Sequence, residues 1–306
     1  MLEGSYMYVV VGASGNTGSV VAHMLLDNGK QVRVLGRTAE HLRQFANRGA
    51  EPVVVDLADT SKVAYAFDGA EAVYAMIPPN PSAPDIFEYD ERITASLSSA
   101  LSEARVKHAV CLSSVGADKP SGTGVVIGLH RFERALDRVD GLNTLHLRAG
   151  YFMENTLPQA GIIHAMGGAM GPMRADLKLP MIASHDIGVA AARALLQLSF
   201  KGHESRELLG QRDISYAEVA SIIGKAIGKP DLKYNQAPDD QLRPALAKMG
   251  MSPNFVDQLL EMTAALNSGK MKALEPRTPQ NTTTTTYETF MAEKFLPTYK
   301  GTSKAA

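Results

Sequence analysis

Cysteine is nearly absent: Cys111 is the only one in 306 residues. An intramolecular disulfide is thereby excluded, and the usage suits a reducing compartment. Cys111 lies in an apolar run, Val110 to Leu112, so it reads as a buried packing thiol and not as a nucleophile. A charge excess is lacking too. The 31 basic and 32 acidic residues leave a net charge of −1, which offers no electrostatic footprint for nucleic acid or an anionic membrane surface. No run of about 18 apolar residues is available to cross a bilayer, and the N-terminus has no charged-then-apolar leader pattern, so the expected setting is the cytoplasm. Residues 1–5, MLEGS, carry no pattern that assigns them a structural role. Metal and hydrolase signatures are missing as well. There is no His-Glu-x-x-His, no cysteine cluster, no ligand spacing among the eight histidines, and no Gly-x-Ser-x-Gly elbow.

What is present is concentrated in residues 7–37, MYVVVGASGNTGSVVAHMLLDNGKQVRVLGR. An apolar run, Met7 to Val11, stops at Gly12; glycines follow at 15 and 18, and apolar residues then recur at helical spacing at Val20, Val21, Met24 and Leu25. This predicts strand, tight turn, helix. Gly12 allows the sharp reversal, Gly15 keeps a Cβ from holding a pyrophosphate off the backbone amides, and Gly18 lets the helix pack against the strand. The amides that open the helix are unpaired and carry the positive end of its dipole, so a diphosphate is their natural occupant. A second strand, Gln31 to Leu35, supplies the context such glycines need. At its end an NAD site tends to carry an acid for the ribose 2′-hydroxyl, whereas an arginine suits a 2′-phosphate. Gly36 and Arg37 stand there. With no carboxylate to repel a phosphate and a guanidinium able to fork onto it, the expected cofactor is NADP(H) in preference to NAD(H).

The glycine spacing is G-x-x-G-x-x-G, and GASGNTGSVV followed by VRVLGR resembles the NmrA-like, atypical branch of the short-chain dehydrogenase/reductase superfamily. The resemblance is close over residues 7–155 and loose beyond Gly202. It implies that Gly12, Ser14, Gly15, Asn16, Thr17, Gly18 and Arg37 hold the cofactor. Asp56 and Leu57, ending a third strand (Pro52 to Val55), are implied to lie beside the adenine, although Asp56 would equally cap the following turn. Met76, Ile77 and Pro78 end a fourth strand that begins at Ala72, and ligands of open α/β sheets bind outside the carboxyl ends of strands, so this loop should wall the cofactor. A fifth strand, Ala109 to Ser113, ends in Ser113-Ser114-Val115-Gly116, which resembles the serine-bearing strand end whose hydroxyl faces nicotinamide or substrate. Serines also routinely bond turn backbone. Residues 148–155, RAGYFMEN, resemble the point where such chains leave the sheet for the substrate region, with Tyr151 and Asn155 as candidates to orient substrate. Residues 184–196, SHDIGVAAARALL, resemble a helix returning to the sheet, and Asp186 supplies a negative charge for its first turn.

Many short-chain reductases use a Tyr-x-x-x-Lys pair in which the lysine lowers the tyrosine pKa. Aligning Glu133 with the acid the family keeps on this helix puts Val125 and Leu129 where tyrosine and lysine would fall. His130 is the nearest titratable group. It is either a proton donor near neutral pH or a helix-surface histidine.

Elsewhere the pattern predicts helices over Ala39 to Asn47, Lys62 to Phe67, Pro84 to Ala104 and His130 to Val139, and a sixth strand over Thr144 to Leu147. Beyond Gly202 it is mostly helical: Tyr216 to Ile227, Asp239 to Lys248, Phe255 to Leu266 and Tyr287 to Phe295, with Thr282 to Thr286 as an extended connector. Four methionines between Met166 and Met181 either line an aromatic pocket or pack a loop. The expected fold is α/β: a Rossmann-like doubly wound parallel sheet from residues 1–155 with a returning portion at 184–210, and a smaller, mostly helical substrate region within 156–306. Two functions follow from the resemblance. One is an oxidoreductase that moves hydride from NADPH to a small, mostly apolar conjugated acceptor such as a quinone, dye or enone, with a homodimer as the assembly to test for. The other is a non-enzymatic NADP(H)-binding redox sensor acting through protein partners.

Overall fold

A computed structural model describes residues 7–301, so the expectation for residues 1–5 lies outside the described residues. The first half alternates: β1 (Met7–Val10), α1 (Asn16–Asp27), β2 (Gln31–Gly36), α2 (Ala39–Ala46), β3 (Glu51–Val54), α3 (Thr60–Phe67), β4 (Ala70–Ala75), α4 (Ile86–Glu103), β5 (His108–Ser114), α5 (Val126–Leu136) and β6 (Asn143–Ala149). The second half runs β7 (Tyr151–Phe152), α6 (Gln159–Met166), β8 (Ala169–Gly171), β9 (Leu179–Ile182), α7 (Ser184–Gln197), β10 (His203–Leu208), β11 (Asp213–Ile214), α8 (Tyr216–Ala226), β12 (Tyr234–Gln236), α9 (Asp239–Lys248), α10 (Pro253–Asn267) and α11 (Tyr287–Phe290).

The main sheet has seven strands in the order β10-β6-β5-β4-β1-β2-β3, all parallel. Its inner strands are apolar on both faces, as a sheet covered twice must be. Val10 faces a core with Val21 and Leu25 of α1, Phe45 of α2 and Leu195 of α7. Its neighbours Val9 and Val11 face another, with Phe67 of α3, Leu97 of α4 and Phe132 of α5. Strand order reverses between β1 and β4, which opens a crevice at their carboxyl ends.

The helices expected beyond Gly202 are present as α8, α9, α10 and the helix opening at Tyr287, and the seventh strand, which the sequence pattern does not predict as a strand, lies within the 184–210 stretch. β10 pairs with β6, from His203 against Thr144 to Leu208 against Ala149. Its sequence, HESREL, is exposed over its first four residues, because an edge strand needs little apolar surface and charged side chains guard its open side. The 184–210 stretch therefore lies back on the sheet. Helix α7 packs on α1 at Gly188, where a Cβ would stand 2.6 Å from Val20 Cβ and 2.8 Å from the Thr17 carbonyl oxygen. Helix α5 starts earlier than expected. The last expected helix is interrupted by a wider π-type turn over Met291–Phe295.

A second core sits beyond the carboxyl ends of β5 and β6. It gathers Met153, Ile163, Met173, Met181, Tyr216, Ile223, Leu266, Tyr287 and Phe295, around a three-stranded sheet β11-β9-β7 and the pair β12-β8. These strands are only two to four residues long.

Candidate functional site

The first part of the site is the turn after β1. Gly12 has φ +65°, and a Cβ there would lie 2.9 Å from the Met76 sulfur at the end of β4. A Cβ on Gly18 would stand 2.3 Å from the Gly12 carbonyl oxygen, so α1 can approach β1 only with glycine there. The Gly15 amide donates to the Gly12 carbonyl (2.9 Å), and the first helical bond is Ser19 N–H to the Gly15 carbonyl (3.0 Å). No side chain caps α1, and its first turn holds no acid. The amides of Asn16, Thr17 and Gly18 thus open toward the crevice without intrahelical partners. Ser14, Gly15 and Asn16 are exposed, whereas Thr17 is buried. Its hydroxyl accepts from the Tyr74 phenol (2.8 Å).

Gly36 has a packing reason besides the absence of an acid. A Cβ would stand 2.9 Å from Leu42 Cδ2 of α2. Arg37 is exposed, and among the described residues no hydrogen bond or ion pair engages its guanidinium. It contributes, with Asp56, to the field at the Tyr89 phenol. Asp56 accepts the Ala58 amide (2.9 Å), which is the turn-capping alternative, and Leu57 is buried in a core. Met76, Ile77 and Pro78 are half-buried where β4 ends. These residues form a glycine cradle, open amides and an unpaired cation suited to an extended dinucleotide with anionic groups.

The second part is a cleft of about 400 Å³ at the carboxyl ends of β5 and β6. Since β5 is two strands from β1, it begins roughly 10 Å from the glycine turn. Ser114, Tyr151, Phe152 and Asn155 line one side, residues 177–180 another, and Met262 and Leu266 of α10 with Met271 to Ala273 close it. Gly116 has φ +93°, and a Cβ on it would meet Met271 Cγ at 2.7 Å, so this turn glycine lets the closing segment settle over the end of β5.

The cleft takes Ser114 but not Ser113. Ser113 is buried, and its hydroxyl donates to Glu133 Oε1 at 2.5 Å. Glu133 is also forked by Arg148, with Nε at 2.9 Å and Nη2 at 2.6 Å. As a hydroxyl facing a ligand, Ser113 is corrected: it belongs to a buried ionic network that ties α5 to β5 and β6. His130 likewise stands outside the cleft lining. Its Nδ1 donates to the Ala117 carbonyl (2.8 Å), the ordinary lot of a helix-surface imidazole. Val125 and Leu129, where a Tyr/Lys pair would fall, pack against the second core.

The RAGYFMEN segment divides its labour. Arg148 holds Glu133. A Cβ on Gly150 would stand 2.3 Å from the Pro180 carbonyl oxygen, so only glycine lets the chain cross from β6 to β7. Tyr151 and Asn155 face the cleft, and Glu154 accepts the Ser184 amide (3.0 Å) and hydroxyl at the start of α7. Asp186, in the first turn of α7, accepts from the amide and hydroxyl of Thr285 (3.1 and 2.6 Å), which pins the threonine run. The Tyr151 and Tyr216 hydroxyls are 2.9 Å apart. Burial pushes the Tyr151 phenol above its ordinary pKa, with hydrogen bonds from the Tyr216 and Asn155 side chains opposing it. Burial pushes Tyr216 up further. Both phenols stay protonated at neutral pH, and if Tyr216 donates to Tyr151, the Tyr151 proton is free for the cleft.

The methionine expectation is corrected in place rather than in kind. Met173 and Met181 are in the second core, Met166 is exposed, and the methionines at the cleft are Met262 and Met271. Sequence reading also missed Lys178, Lys272 and Arg277, which carry no local motif and come to the cleft on segments without regular structure, and Tyr216, which opens α8 and stands behind the cleft on the Tyr151 hydroxyl. Among the described residues there is no metal-ligand cluster and no helix long and apolar enough to cross a membrane.

Comparison with known proteins bears on this geometry. The NmrA-like family matches residues 6–295. The NAD(P)H azoreductase of Xenophilus azovorans is 29% identical over 262 residues, covering 84% of this chain and 86% of that protein. The NADPH-dependent quinone oxidoreductase of Escherichia coli, solved with NADPH, superposes with a TM-score of 0.79 at 22% identity, over 94% of this chain and 99% of its own. The Citrobacter sp. triphenylmethane reductase, solved with NADP(H), gives 0.73 at 17% identity, over 97% and 100%.

Proposed function

Starting from a chain that belongs to the NmrA-like family, we propose that this protein is an NAD(P)H-dependent oxidoreductase that reduces small conjugated acceptors of the quinone or dye type, with NADPH preferred over NADH. The observation that carries the proposal is the adjacency of two sites: a glycine cradle with open helix amides at β1, and an apolar, hydroxyl-bearing cleft at the ends of β5 and β6. An azoreductase, a quinone oxidoreductase and a triphenylmethane reductase among the similar proteins support the same reaction class.

The amides of Asn16, Thr17 and Gly18 would hold the diphosphate, and Arg37 would fork onto a 2′-phosphate. When bound, the reduced nicotinamide supplies a hydride. A quinone needs that hydride and one proton to become a hydroquinone. The cleft supports this in three ways. Phe152, Leu177, Met262 and Met271 offer apolar walls to a flat ring. Tyr151 supplies a hydroxyl for the oxygen on which charge develops; the Ser114 hydroxyl donates to the Val115 carbonyl (3.0 Å) and would have to turn from it to serve the same oxygen. Tyr151, being hard to ionise, acts by donating a hydrogen bond, while the proton itself comes from water. No Tyr/Lys pair is then required.

The missing Tyr/Lys pair is the feature that favours the other reading, a sensor that binds the cofactor and passes its redox state to a protein partner. One experiment separates them. NADPH binding is measured by titration, and its absorbance is followed against quinones, azo and triphenylmethane dyes and enones, with Gly15→Val as the control whose phosphate cradle is blocked. Micromolar binding with acceptor-dependent oxidation above the control is the expected result. Equal binding with no acceleration by any acceptor would replace the enzyme with the sensor.

A further inference from the structure

We infer that the cleft selects acceptors bearing an anionic substituent, such as a sulfonate or carboxylate on the aromatic ring, through Lys178 and Lys272. This deepens the oxidoreductase reading and rests on it for the identity of the ring that enters. Five charged side chains line the cleft: Lys178, Lys272, Arg277, Asp213 and Glu275. Three of them are engaged. Arg277 pairs with Asp213 and donates to the carbonyls of Gly210 (2.6 Å) and Leu209 (3.1 Å), so that pair is neutral and fixed. Glu275 accepts the Glu207 amide (3.3 Å) on one oxygen and the Asn281 amide group (3.4 Å) on the other.

The two lysines differ. Both are exposed, and neither makes a hydrogen bond or ion pair with another described residue. The carboxylate that feels Lys178 is Glu218, whose oxygen is taken by the Ser215 amide (2.8 Å) in the cap of α8. Lys178 leads into β9 on one wall, and Lys272 follows Met271 on the closing segment. The two lysines therefore come to the cleft from different segments, and its remaining lining is mostly apolar. An aromatic ring inserted between Phe152, Leu177 and Met271 leaves its substituent toward these ammonium groups. A sulfonate or carboxylate gains two favourable charges against one carboxylate, Glu275, whose amide partners leave its charge in place, and it keeps part of its hydration because both lysines are solvated. A cationic dye meets a net single positive charge as repulsion, since the Arg277–Asp213 pair cancels and Glu275 offsets one lysine. Since the lysines are exposed, the preference is moderate and screened by salt.

The test is binding, so that it stands even if no acceptor is turned over. The protein saturated with NADP+, which keeps the phosphate cradle from competing, is titrated calorimetrically with naphthalene-2-sulfonate and with the neutral naphthalene-2-methanol at low ionic strength. The expected result is a roughly five- to tenfold preference for the sulfonate that shrinks with added salt. It should vanish in the Lys178→Gln/Lys272→Gln double variant and invert in Lys272→Glu. Equal affinity of the wild-type protein for the two ligands overturns the inference. So does a sulfonate preference that survives in the double variant. Turnover of naphthoquinone and its sulfonate is measured in parallel, and absence of both turnovers with the sulfonate preference intact rejects the reductase reading while leaving the anion site standing.

Discussion

The Ser113 hydroxyl donates to Glu133 2.5 Å away, while the adjacent Ser114 turns to the cleft. Two consecutive serines on one strand point to opposite faces, and so they answer to different measurements. Ser113→Ala removes a donor from a buried carboxylate and is expected to lower stability by about 1–3 kcal/mol in chemical denaturation, with cofactor affinity kept. Ser114→Ala is expected to leave the denaturation midpoint in place and reduce kcat/KM for a quinone. A catalytic loss from Ser113→Ala without loss of stability would reverse the assignment.

Arg37 provides the cofactor test. Its guanidinium is exposed and beside a glycine that packing also requires. Arg37→Ala should weaken NADPH roughly ten- to a hundredfold and NADH little, since the lost contact is charge-assisted. Equal weakening of both cofactors would show that Arg37 does not read the 2′-phosphate.

Asp90 gives a pH dependence of stability. It lies on α4 against Gly128 of α5, where a Cβ would stand 2.0 Å from its Oδ2. Burial raises its pKa to about 7; Arg131 opposes the shift and Glu91 adds to it. The folded state therefore holds a proton that the unfolded state has lost above its ordinary value near 4. Stability from this group is full below that value and declines as pH rises toward 7, by on the order of 4 kcal/mol at most. Asp90→Asn should flatten the decline and raise the melting temperature at pH 8. An unchanged pH profile in that variant would count against the burial argument.

Gly188 links the returning helix to the cofactor helix. Its substitution by valine forces side-chain bulk onto Val20 and the Thr17 carbonyl, and overpacking of this kind costs typically 1–3 kcal/mol. Because the same displacement moves the first turn of α1, NADPH affinity should fall along with stability. A stable variant with normal affinity would mean that α7 does not set the position of those amides.

The parts legible in the sequence were those with a strong local pattern. The run from Met7 to Val11 and the glycines carry periodicity and steric demands that few other arrangements satisfy, whereas the return of 184–196 to the sheet came from the resemblance alone. β10 was not legible, because its exposed residues His203 to Arg206 read as a polar loop until β6 is beside them. The choice between Ser113 and Ser114 was also hidden: it depends on Glu133, twenty residues away on another element. The cleft's far wall escaped for a related reason. Met271, Lys272 and Arg277 lie in a segment without regular structure, held there by the buried Glu207 accepting the Leu274 and Glu275 amides (2.9 Å each).

The central claim is that acceptors react in the cleft at the ends of β5 and β6 while the cofactor is held at β1. Ala273 lines that cleft, whose lining includes no residue of the glycine turn, so Ala273→Trp obstructs one site and spares the other. The decisive measurement is NADPH affinity and quinone-dependent NADPH oxidation in this variant, with its melting temperature as a check on folding. The account predicts wild-type affinity and a fall of tenfold or more in oxidation rate, roughly 1.4 kcal/mol or more in transition-state stabilisation; a folded variant that binds NADPH and oxidises it at the wild-type rate would contradict it.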